Sequence, residues 1–273
     1  MTLLLSTDLT VSVPHPFATR DRLVFAHRGG AKLAPENTMA AFTNGLALGS
    51  DGIECDVHLA SDGVPVVIHD KTLERTTDAA GPVSARTSAE LATVDAGYRF
   101  GEVDGYPFRG RGIGVPRLDE VLDACGDRRV IVEMKHDDPA LARAVARLVR
   151  EAAAVERVCV GSFHRRALGV IRSEAPEIAT SASEDEARWT LYRSWTHWPL
   201  ARHRPYCAFQ VPQRAGRLPV VTRAFLRQAH RDGSRVDVWV VDAPDDITRL
   251  FALGVDGVIT DRPDVAIALR NQL

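Results

Sequence analysis

The 273-residue sequence lacks a long apolar run and lacks an excess of charge of either sign. No apolar stretch reaches the length needed to cross a bilayer, so we expect no stable insertion in a membrane. Lys and Arg number 34 and Asp and Glu number 36, which gives a formal net charge of −2. Because the arginines are scattered among acids, we expect no nucleic-acid partner.

Cysteine is also scarce, and the four cysteines lie far apart: Cys55, Cys125, Cys159 and Cys207. They form no Cys-x-x-Cys pair and no Cys/His spacing suited to zinc, so we expect buried free thiols. Free thiols fit a reducing compartment. The N-terminus has leucines at 3–5 but no basic leader, which is not typical of a signal peptide. These features predict a cytoplasmic protein.

The sequence does contain short runs rich in Val and Ile that alternate with longer stretches of helical periodicity. This alternation is typical of βα units around a parallel sheet. The candidate barrel strands are 23–27, 52–57, 130–135, 158–163, 177–181, 207–211, 235–241 and 256–260. The candidate helices are 36–48, 140–153, 166–174, 223–231, 245–253 and 263–271. Eight strands predict a TIM (β/α)8 barrel, formed by one domain over 21–273 after an N-terminal extension at 1–20.

One further apolar run, 64–68, does not fit the repeating pattern. It follows the second barrel strand after only a few residues, whereas a parallel crossover needs a dozen or more. An Asp-Gly pair in the link predicts a tight hairpin, and Pro65 predicts that the returning strand is an edge. This hairpin would bring His69 alongside Glu54 and Asp56.

Residues 76–116 are the other irregular part of the chain, rich in Gly, Thr and aromatic residues. The composition predicts a small insertion after the second barrel strand. Long excursions between barrel elements tend to be lids or walls of an active site, although a surface loop would share much of this composition.

Three acids stand on two of the predicted strands. Strand periodicity places Glu54 and Asp56 on one face of 52–57. Two carboxylates held side by side are unfavourable unless a cation neutralises them, and oxygen ligands favour Mg²⁺ or Ca²⁺. Glu133, at the carboxyl end of its strand, is a third candidate ligand. The alternative is a set of solvated acids on an exposed edge.

Two histidines and two cationic side chains are expected on the same rim. His27 closes the first strand and His69 closes the returning hairpin strand. A histidine pKa lies near neutrality, so two histidines beside a carboxylate cluster are candidates for proton transfer. Arg28, followed by two glycines, is suited to bind phosphate. Lys135 would also bind an anion, or would form an ordinary salt bridge.

Matching motifs follow one another in the first third of the chain: His27-Arg28-Gly29-Gly30, Ala34-Pro35-Glu36-Asn37-Thr38, Gly52-Ile53-Glu54-Cys55-Asp56-Val57, Asp62-Gly63 and Val66-Val67-Ile68-His69-Asp70. In this order they resemble the glycerophosphodiester phosphodiesterase family, and the match continues to residue 263. The resemblance implies a TIM barrel with a small insertion and a bound divalent cation. It also implies hydrolysis of glycerophosphodiesters to glycerol 3-phosphate and an alcohol.

The resemblance also implies a role for each matching side chain. His27 and His69 would be the general acid and base. The implied metal ligands are Glu54, Asp56 and Glu133, and the implied substrate contacts are Arg28, Lys135, Phe163 and Trp239. The chain departs from the family pattern at Asp242, where family members often carry Asn, and we expect its negative charge near the rim.

Alternatives to this activity stay open at this point. One is lysophospholipase D-like or other phosphodiester cleavage, with the aromatic residues of 76–116 holding an acyl chain. Another is a barrel that binds phosphodiesters without cleaving them. The expected partner is a small-molecule glycerophosphodiester, and a homo-oligomer stays open.

Overall fold

Strands and helices alternate along the chain, as the sequence pattern predicts. The computed structural model describes residues 15–196 and 204–273, where the strands are β1 Leu23–His27, β2 Gly52–Leu59, β3 Pro65–Val67, β4 Arg129–Met134, β5 Val158–Gly161, β6 Ala179–Thr180, β7 Ala208–Pro212, β8 Arg214–Ala215, β9 Leu218–Pro219, β10 Arg235–Trp239 and β11 Gly257–Thr260. The helices are α1 Met39–Ala47, α2 Ser88–Leu91, α3 Leu118–Ala124, α4 Pro139–Glu151, α5 Arg165–Glu174, α6 Glu184–Thr196, α7 Arg223–Arg231, α8 Pro244–Leu253 and α9 Pro263–Arg270. None of these described helices is long and apolar enough to span a bilayer.

Eight of the strands pair in parallel in the order β6-β5-β4-β2-β1-β11-β10-β7. A bridge between Ser181 and Ala208 joins the two ends of this row, and the Ala182 amide donates to the Ala208 carbonyl at 2.8 Å. The row therefore closes into a barrel with helices between its strands. The predicted TIM (β/α)8 barrel is confirmed, and each predicted barrel strand overlaps one of the eight.

Helices α3 and α6, and the single turn α2, were not predicted. Leu118, Val121 and Leu122 form a buried stripe on α3, but its N-cap is Arg117, which is not one of the short polar residues that favour helix starts. On α6, Trp189, Tyr192 and Trp195 are exposed, so the aromatic residues of this helix do not share its buried face.

The predicted hairpin is confirmed, because β3 runs antiparallel to β2 with Leu59 opposite Pro65. The predicted edge position of β3 is wrong in part. The Val67 amide donates to the Pro116 carbonyl at 2.8 Å, so the returning strand has a partner on its second side as well. Pro65 is tolerated because it is the first residue of the strand.

Residues 76–116 pack against this hairpin instead of standing free in solvent. Their buried apolar side chains are Val83, Leu91, Val94, Ala96 and Val115, which share a cluster with Val66, Ile68 and Leu73. The Arg109 guanidinium stacks over the rings of Tyr98 and Tyr106, at 4.0 and 3.7 Å from their centroids. Aromatic residues of this segment are thus engaged with an arginine. The bounds of the predicted insertion, 76–116, stay a prediction.

The described end of the predicted N-terminal extension covers one end of the barrel interior. Phe17, in a 3-10 turn at Pro16–Ala18, is fully buried. Its ring lies 6.1 Å from that of Phe25 on β1. The division between 1–20 and 21–273 stays a prediction, but Phe17 belongs to the barrel's core.

Next to Phe17, the amino-terminal end of the barrel interior holds a buried ion pair. Arg235 and Asp237 of β10 are both fully buried, and their side chains approach to 2.6 Å. The guanidinium also donates to the carbonyls of Thr19 and Asp256 at 2.9 and 3.1 Å. A Cβ at Gly257 on β11 would overlap the Asp237 carboxylate, so only glycine fits beside this pair. Each buried charge therefore has a partner, which a buried pair requires.

We predict that Asp237→Ala destabilises the protein strongly, because it leaves the Arg235 guanidinium buried without its carboxylate. The free energy of unfolding should fall by about 3–5 kcal/mol. Urea unfolding measures this. The matched control is Glu174→Ala, which breaks an exposed pair with Arg143 and should change stability little. An equally small loss for both variants would contradict the prediction.

Candidate active site

A cavity of about 230 Å³ opens at the carboxyl ends of the barrel strands. Eight of the nine predicted site residues line it: His27, Arg28, Glu54, His69, Glu133, Lys135, Phe163 and Trp239. The ninth, Asp56, is buried behind the cavity wall, where it contacts Arg28 and Lys135 at 3.0 and 3.3 Å. The barrel thus brings together side chains that are more than two hundred residues apart in sequence.

Three carboxylates converge at one side of this cavity. Glu54 and Asp56 lie on one face of β2, and Asp56 lies opposite Glu133 in the parallel ladder with β4. One ligand oxygen from each lies within 4.8 Å of the other two. Glu54 and Asp56 are 5% and 1% exposed, so the alternative of solvated acids on an exposed edge is wrong.

The two acids of β2 have opposite electrostatic environments. Burial, together with repulsion from Asp56 and Glu133, raises the pKa of Glu54 to about 8. Burial also acts to raise the pKa of Asp56, but the charges of Arg28 and Lys135 outweigh it and hold that pKa below its usual range. Glu54 therefore binds a proton at neutral pH unless another cation takes its place.

These three carboxylates fit a hard divalent cation. They offer only oxygen atoms, as Mg²⁺ and Ca²⁺ prefer. Their charges are only partly balanced by Lys135, whose ammonium donates to Glu133 at 2.9 Å, and by Arg28. A divalent ion would supply the missing positive charge and replace the proton on Glu54.

His27, at the end of β1, is held between two acids. Its Nδ1 lies 2.6 Å from Asp261 Oδ1, and its Nε2 lies 3.8 Å from Glu54 Oε2. Burial lowers the pKa of His27, but the hydrogen bond to Asp261 and the charge of Glu54 outweigh burial and raise it above its usual value. A carboxylate can only accept here, so Nδ1 donates and Nε2 is the nitrogen available to substrate.

His69 has a similar arrangement on the hairpin. Its Nδ1 lies 2.5 Å from Asp70 Oδ1, and Asp70 in turn accepts from Arg75 at 2.6 Å. Burial acts to raise the pKa of Asp70, but Arg75 and His69 outweigh it and lower that pKa to about 2. Arg75 also pairs with Glu36, which accepts from Arg28 at 2.8 Å. Ion pairs of alternating charge therefore connect His69 to the loop that follows β1.

The turn after β1 places Arg28 at the carboxylates. Arg28 has a positive φ of 51°, a conformation that costs energy for a side-chain-bearing residue. Its amide donates to Glu54 Oε2 at 3.2 Å. Gly29 follows with φ 87°, and a Cβ there would overlap the backbone of Ala41 on α1. Glycine is required because the turn packs directly on the helix.

The side of the cavity away from the carboxylates is apolar. The rings of Phe163 and Trp239 lie 6.1 Å apart and nearly perpendicular. Phe163 is 46% exposed, so the pair lies at the mouth of the cavity. Val211 and Pro212 extend this surface. The site thus has a charged side and an aromatic side.

Comparisons with known proteins cover nearly the whole chain. The profile of the Glycerophosphoryl diester phosphodiesterase family matches residues 27–265. The chain belongs to this family. A glycerophosphodiester phosphodiesterase of Caldanaerobacter subterraneus subsp. tengcongensis is 33% identical over 256 residues, which cover 90% of this chain and 97% of the relative.

Solved structures of the phosphodiesterase family share the fold. The glycerophosphoryl diester phosphodiesterase domain of an uncharacterised Mycobacterium tuberculosis protein superposes with a TM-score of 0.79 at 26% identity, covering 93% of this chain and 100% of that one. A glycerophosphodiester phosphodiesterase of Agrobacterium tumefaciens superposes with a TM-score of 0.72 at 31% identity, covering 92% and 99%. The predicted family, and with it the prediction of a phosphodiesterase, is confirmed.

Several residues that shape this phosphodiesterase site were not among the predicted ones. Asp261 directly follows β11, and its place after a barrel strand is a signal that could have identified it. Asn37 lies in one of the matching motifs, and its side-chain amide donates to Asp56 at 2.8 Å. Asp242 accepts from Lys32 at 2.8 Å and from the Asp261 amide at 2.8 Å, so its expected negative charge is neutralised.

His58 is a further residue that sequence reasoning missed. It follows Glu54 and Asp56 on the same face of β2 and is 3% exposed. Burial lowers the pKa of His58 to about 4, so its imidazole is neutral at physiological pH. His58 is the next residue after Asp56 on this face of β2. From its position alone, it would be a candidate metal ligand.

We predict that Glu54 lowers the stability of the metal-free protein progressively as pH rises from about 5 to above 8. Unfolded Glu54 releases its proton near its ordinary pKa of 4.5, whereas folded Glu54 keeps it until about 8. Folded Glu54 therefore holds a proton that unfolded Glu54 has lost across this window, and its contribution to stability falls with pH. The lowered pKa of His58 acts in the opposite direction below about pH 6.5, so the contribution of Glu54 must be measured against a variant that keeps His58. Each pKa unit is about 1.4 kcal/mol, so the loss should amount to a few kcal/mol.

Urea unfolding in chelator at several pH values measures this loss. Glu54→Gln cannot ionise but keeps His58 and the other titrating groups, so the stability of wild type relative to this variant should fall between pH 5 and 8. A difference between the two proteins that stays constant or rises over this range would exclude a protonated Glu54.

Proposed function

We propose that this chain hydrolyses glycerophosphodiesters to glycerol 3-phosphate and an alcohol, with a divalent cation and two histidines. The observation that carries the proposal is the convergence of His27, His69 and three carboxylates on one cavity. Relatives that cover most of the chain carry the name glycerophosphodiester phosphodiesterase. A barrel that only binds phosphodiesters would not require two histidines oriented by carboxylates.

Glu54, Asp56 and Glu133 would hold the cation, Mg²⁺ or Ca²⁺. Bound there, it would stabilise the negative charge that develops on the phosphoryl oxygens. Arg28 and Lys135 would contribute to the same stabilisation from the protein's side. Lys135 Nζ lies at the cavity wall with its side chain 17% exposed, so it can contact an anion while it stays beside Asp56.

His27 and His69 would perform the proton transfers. In each imidazole, Nδ1 is bonded to an aspartate, and Nε2 is left for the substrate. One histidine would take a proton from the attacking hydroxyl, which is water or the 2-hydroxyl of the glycerol group. Attack by the 2-hydroxyl would form a cyclic phosphate, which water would then open to glycerol 3-phosphate. The other would give a proton to the leaving alcohol as the phosphorus–oxygen bond breaks. Asp261 and Asp70 would orient the rings.

Phe163 and Trp239 would contact the carbon atoms of the substrate. They line the same cavity as the charged residues, which suits a molecule with an anionic centre and carbon-rich ends. No residue of 76–116 lines this cavity among the described residues. The segment therefore supplies no wall of this cavity, and we favour substrates without a long acyl chain. The cytoplasmic location stays a prediction from sequence, and a homo-oligomer stays possible as it was there.

We predict that His27→Ala and His69→Ala each lower the rate of glycerol 3-phosphate release by about a hundredfold or more, because one proton transfer is lost. The assay uses glycerophosphocholine with Mg²⁺ or Ca²⁺, and circular dichroism checks the fold of each variant. Chelator should abolish wild-type activity, and added metal should restore it. If wild-type protein with either metal releases no glycerol 3-phosphate, the binding-only barrel is favoured instead.

We predict that Phe163→Ala and Trp239→Ala raise KM for glycerophosphocholine about tenfold, equivalent to about 1.4 kcal/mol of lost contact. Their kcat should change much less, because neither ring reaches the reacting atoms. Val103→Ala removes another exposed apolar side chain and serves as the control, with an unchanged KM.

The same assay on lysophosphatidylcholine tests substrate class. A higher kcat/KM for the lysophospholipid than for glycerophosphocholine would contradict our choice and favour the lysophospholipase D-like activity.

A further inference from the structure

His58 is the buried polar residue at the site that the proposed mechanism does not use. It continues the row of Glu54 and Asp56 along β2, toward the carboxyl end of the strand. Its side chain does not line the cavity. A histidine in this position must be either a ligand, a proton carrier or a support, and the contacts of its two nitrogens distinguish these roles.

Both nitrogens of His58 are already engaged with protein groups. Nε2 lies 2.9 Å from the backbone carbonyl of His69, and Nδ1 lies 2.8 Å from His136 Nε2. A carbonyl oxygen only accepts, so Nε2 must carry the hydrogen. A neutral imidazole has a single N–H, so Nδ1 accepts and His136 donates. His58 therefore has no nitrogen left for a metal ion or for proton transfer.

The His69 carbonyl needs this donor because the strand ladder ends before it. The last bond of the hairpin runs from the Ile68 amide to the Asp56 carbonyl, at 2.9 Å. His69 follows in a bend, and among the described residues no backbone amide donates to its carbonyl. The His58 side chain supplies the bond that the next residue of a longer strand would have supplied.

His136 extends this support to the neighbouring barrel strand. It directly follows Lys135 at the end of β4, and its ring meets that of His58 edge-on, with centroids 4.5 Å apart. His69 is thus fixed twice. Asp70 holds its imidazole, and His58 holds its backbone and links it to the loop that carries Lys135.

We propose that His58 is a positioning residue for His69, acting through the bond to the His69 carbonyl, with His136 as the partner that fixes its tautomer. The proposal rests on the proposed role of His69 in proton transfer. A loosened His69 would move its imidazole relative to the phosphate, and displacement by about 1 Å can cost about a hundredfold in rate.

The central experiment compares His58→Phe with His58→Gln. Phenylalanine fills the ring space but cannot donate, whereas the glutamine amide places an N–H near the position of Nε2. We expect His58→Phe to lower kcat for glycerophosphocholine about tenfold to a hundredfold with little change in KM. His58→Gln should recover most of this loss. A kcat for His58→Phe within about twofold of wild type, or equal losses for Phe and Gln, would overturn the proposal.

A matched control separates this effect from the general loss of a histidine that has both nitrogens bonded. His15 also has both nitrogens engaged, to the Glu177 carbonyl and the Phe17 amide, but at the opposite end of the barrel. His15→Phe should leave kcat unchanged. A kcat loss for His15→Phe as large as for His58→Phe would overturn the specific role.

Nitrogen-15 NMR of the imidazoles gives a readout that does not depend on activity. We expect the Nε2–H tautomer for both His58 and His136. Because His136 is exposed, His136→Ala should leave the protein folded and should change the chemical shifts of the His58 nitrogens. An Nδ1–H tautomer for His58 would overturn the proposal. An active His69→Ala would overturn the proposed function as well, whereas an inactive His69→Ala beside a fully active His58→Phe would overturn this inference alone.

Discussion

The structure depends on the placement of three carboxylates at the ends of two adjacent parallel strands. Like charges at this distance repel, and burial removes the water that would screen them. The surrounding protein compensates with Arg28 and Lys135 on two sides and with a proton on Glu54. The cationic groups that stabilise the buried carboxylates can also bind an anionic phosphate. The carboxylates themselves attract a cation.

The same compensation extends outward in layers. Asp261 and Asp70 orient the two histidines, and Arg75 and Glu36 then balance Asp70 and Arg28. Each of these side chains has at least one partner of opposite charge, which offsets the cost of removing it in part from water. The rim loops have little regular secondary structure. Their conformation is held by these ion pairs and not by the backbone hydrogen bonds of a sheet.

Much of this could be predicted from the sequence, because strand periodicity alone places Glu54 and Asp56 together and the short Asp-Gly link requires a hairpin. Side chains whose role depends on a distant partner were harder. Asp261 is more than two hundred residues from His27, and its position after β11 places it on the rim without indicating which ring it orients. The tautomers of His58 and His136 follow only from their contacts. The helix α6 was missed because its aromatic residues face outward.

The hairpin has a consequence for how such a site can vary. His27 belongs to the barrel, whereas His69 follows β3, outside the ring of parallel strands. Val66 of β3 packs in an apolar cluster with residues 76–116, and Val67 of the same strand packs in a barrel cluster. The two histidines are therefore supported in part by different regions of the chain. A change in the packing of 76–116 can reach the site through β3 and His69, whereas the parallel strands that carry His27 and the carboxylates pair with one another without that segment.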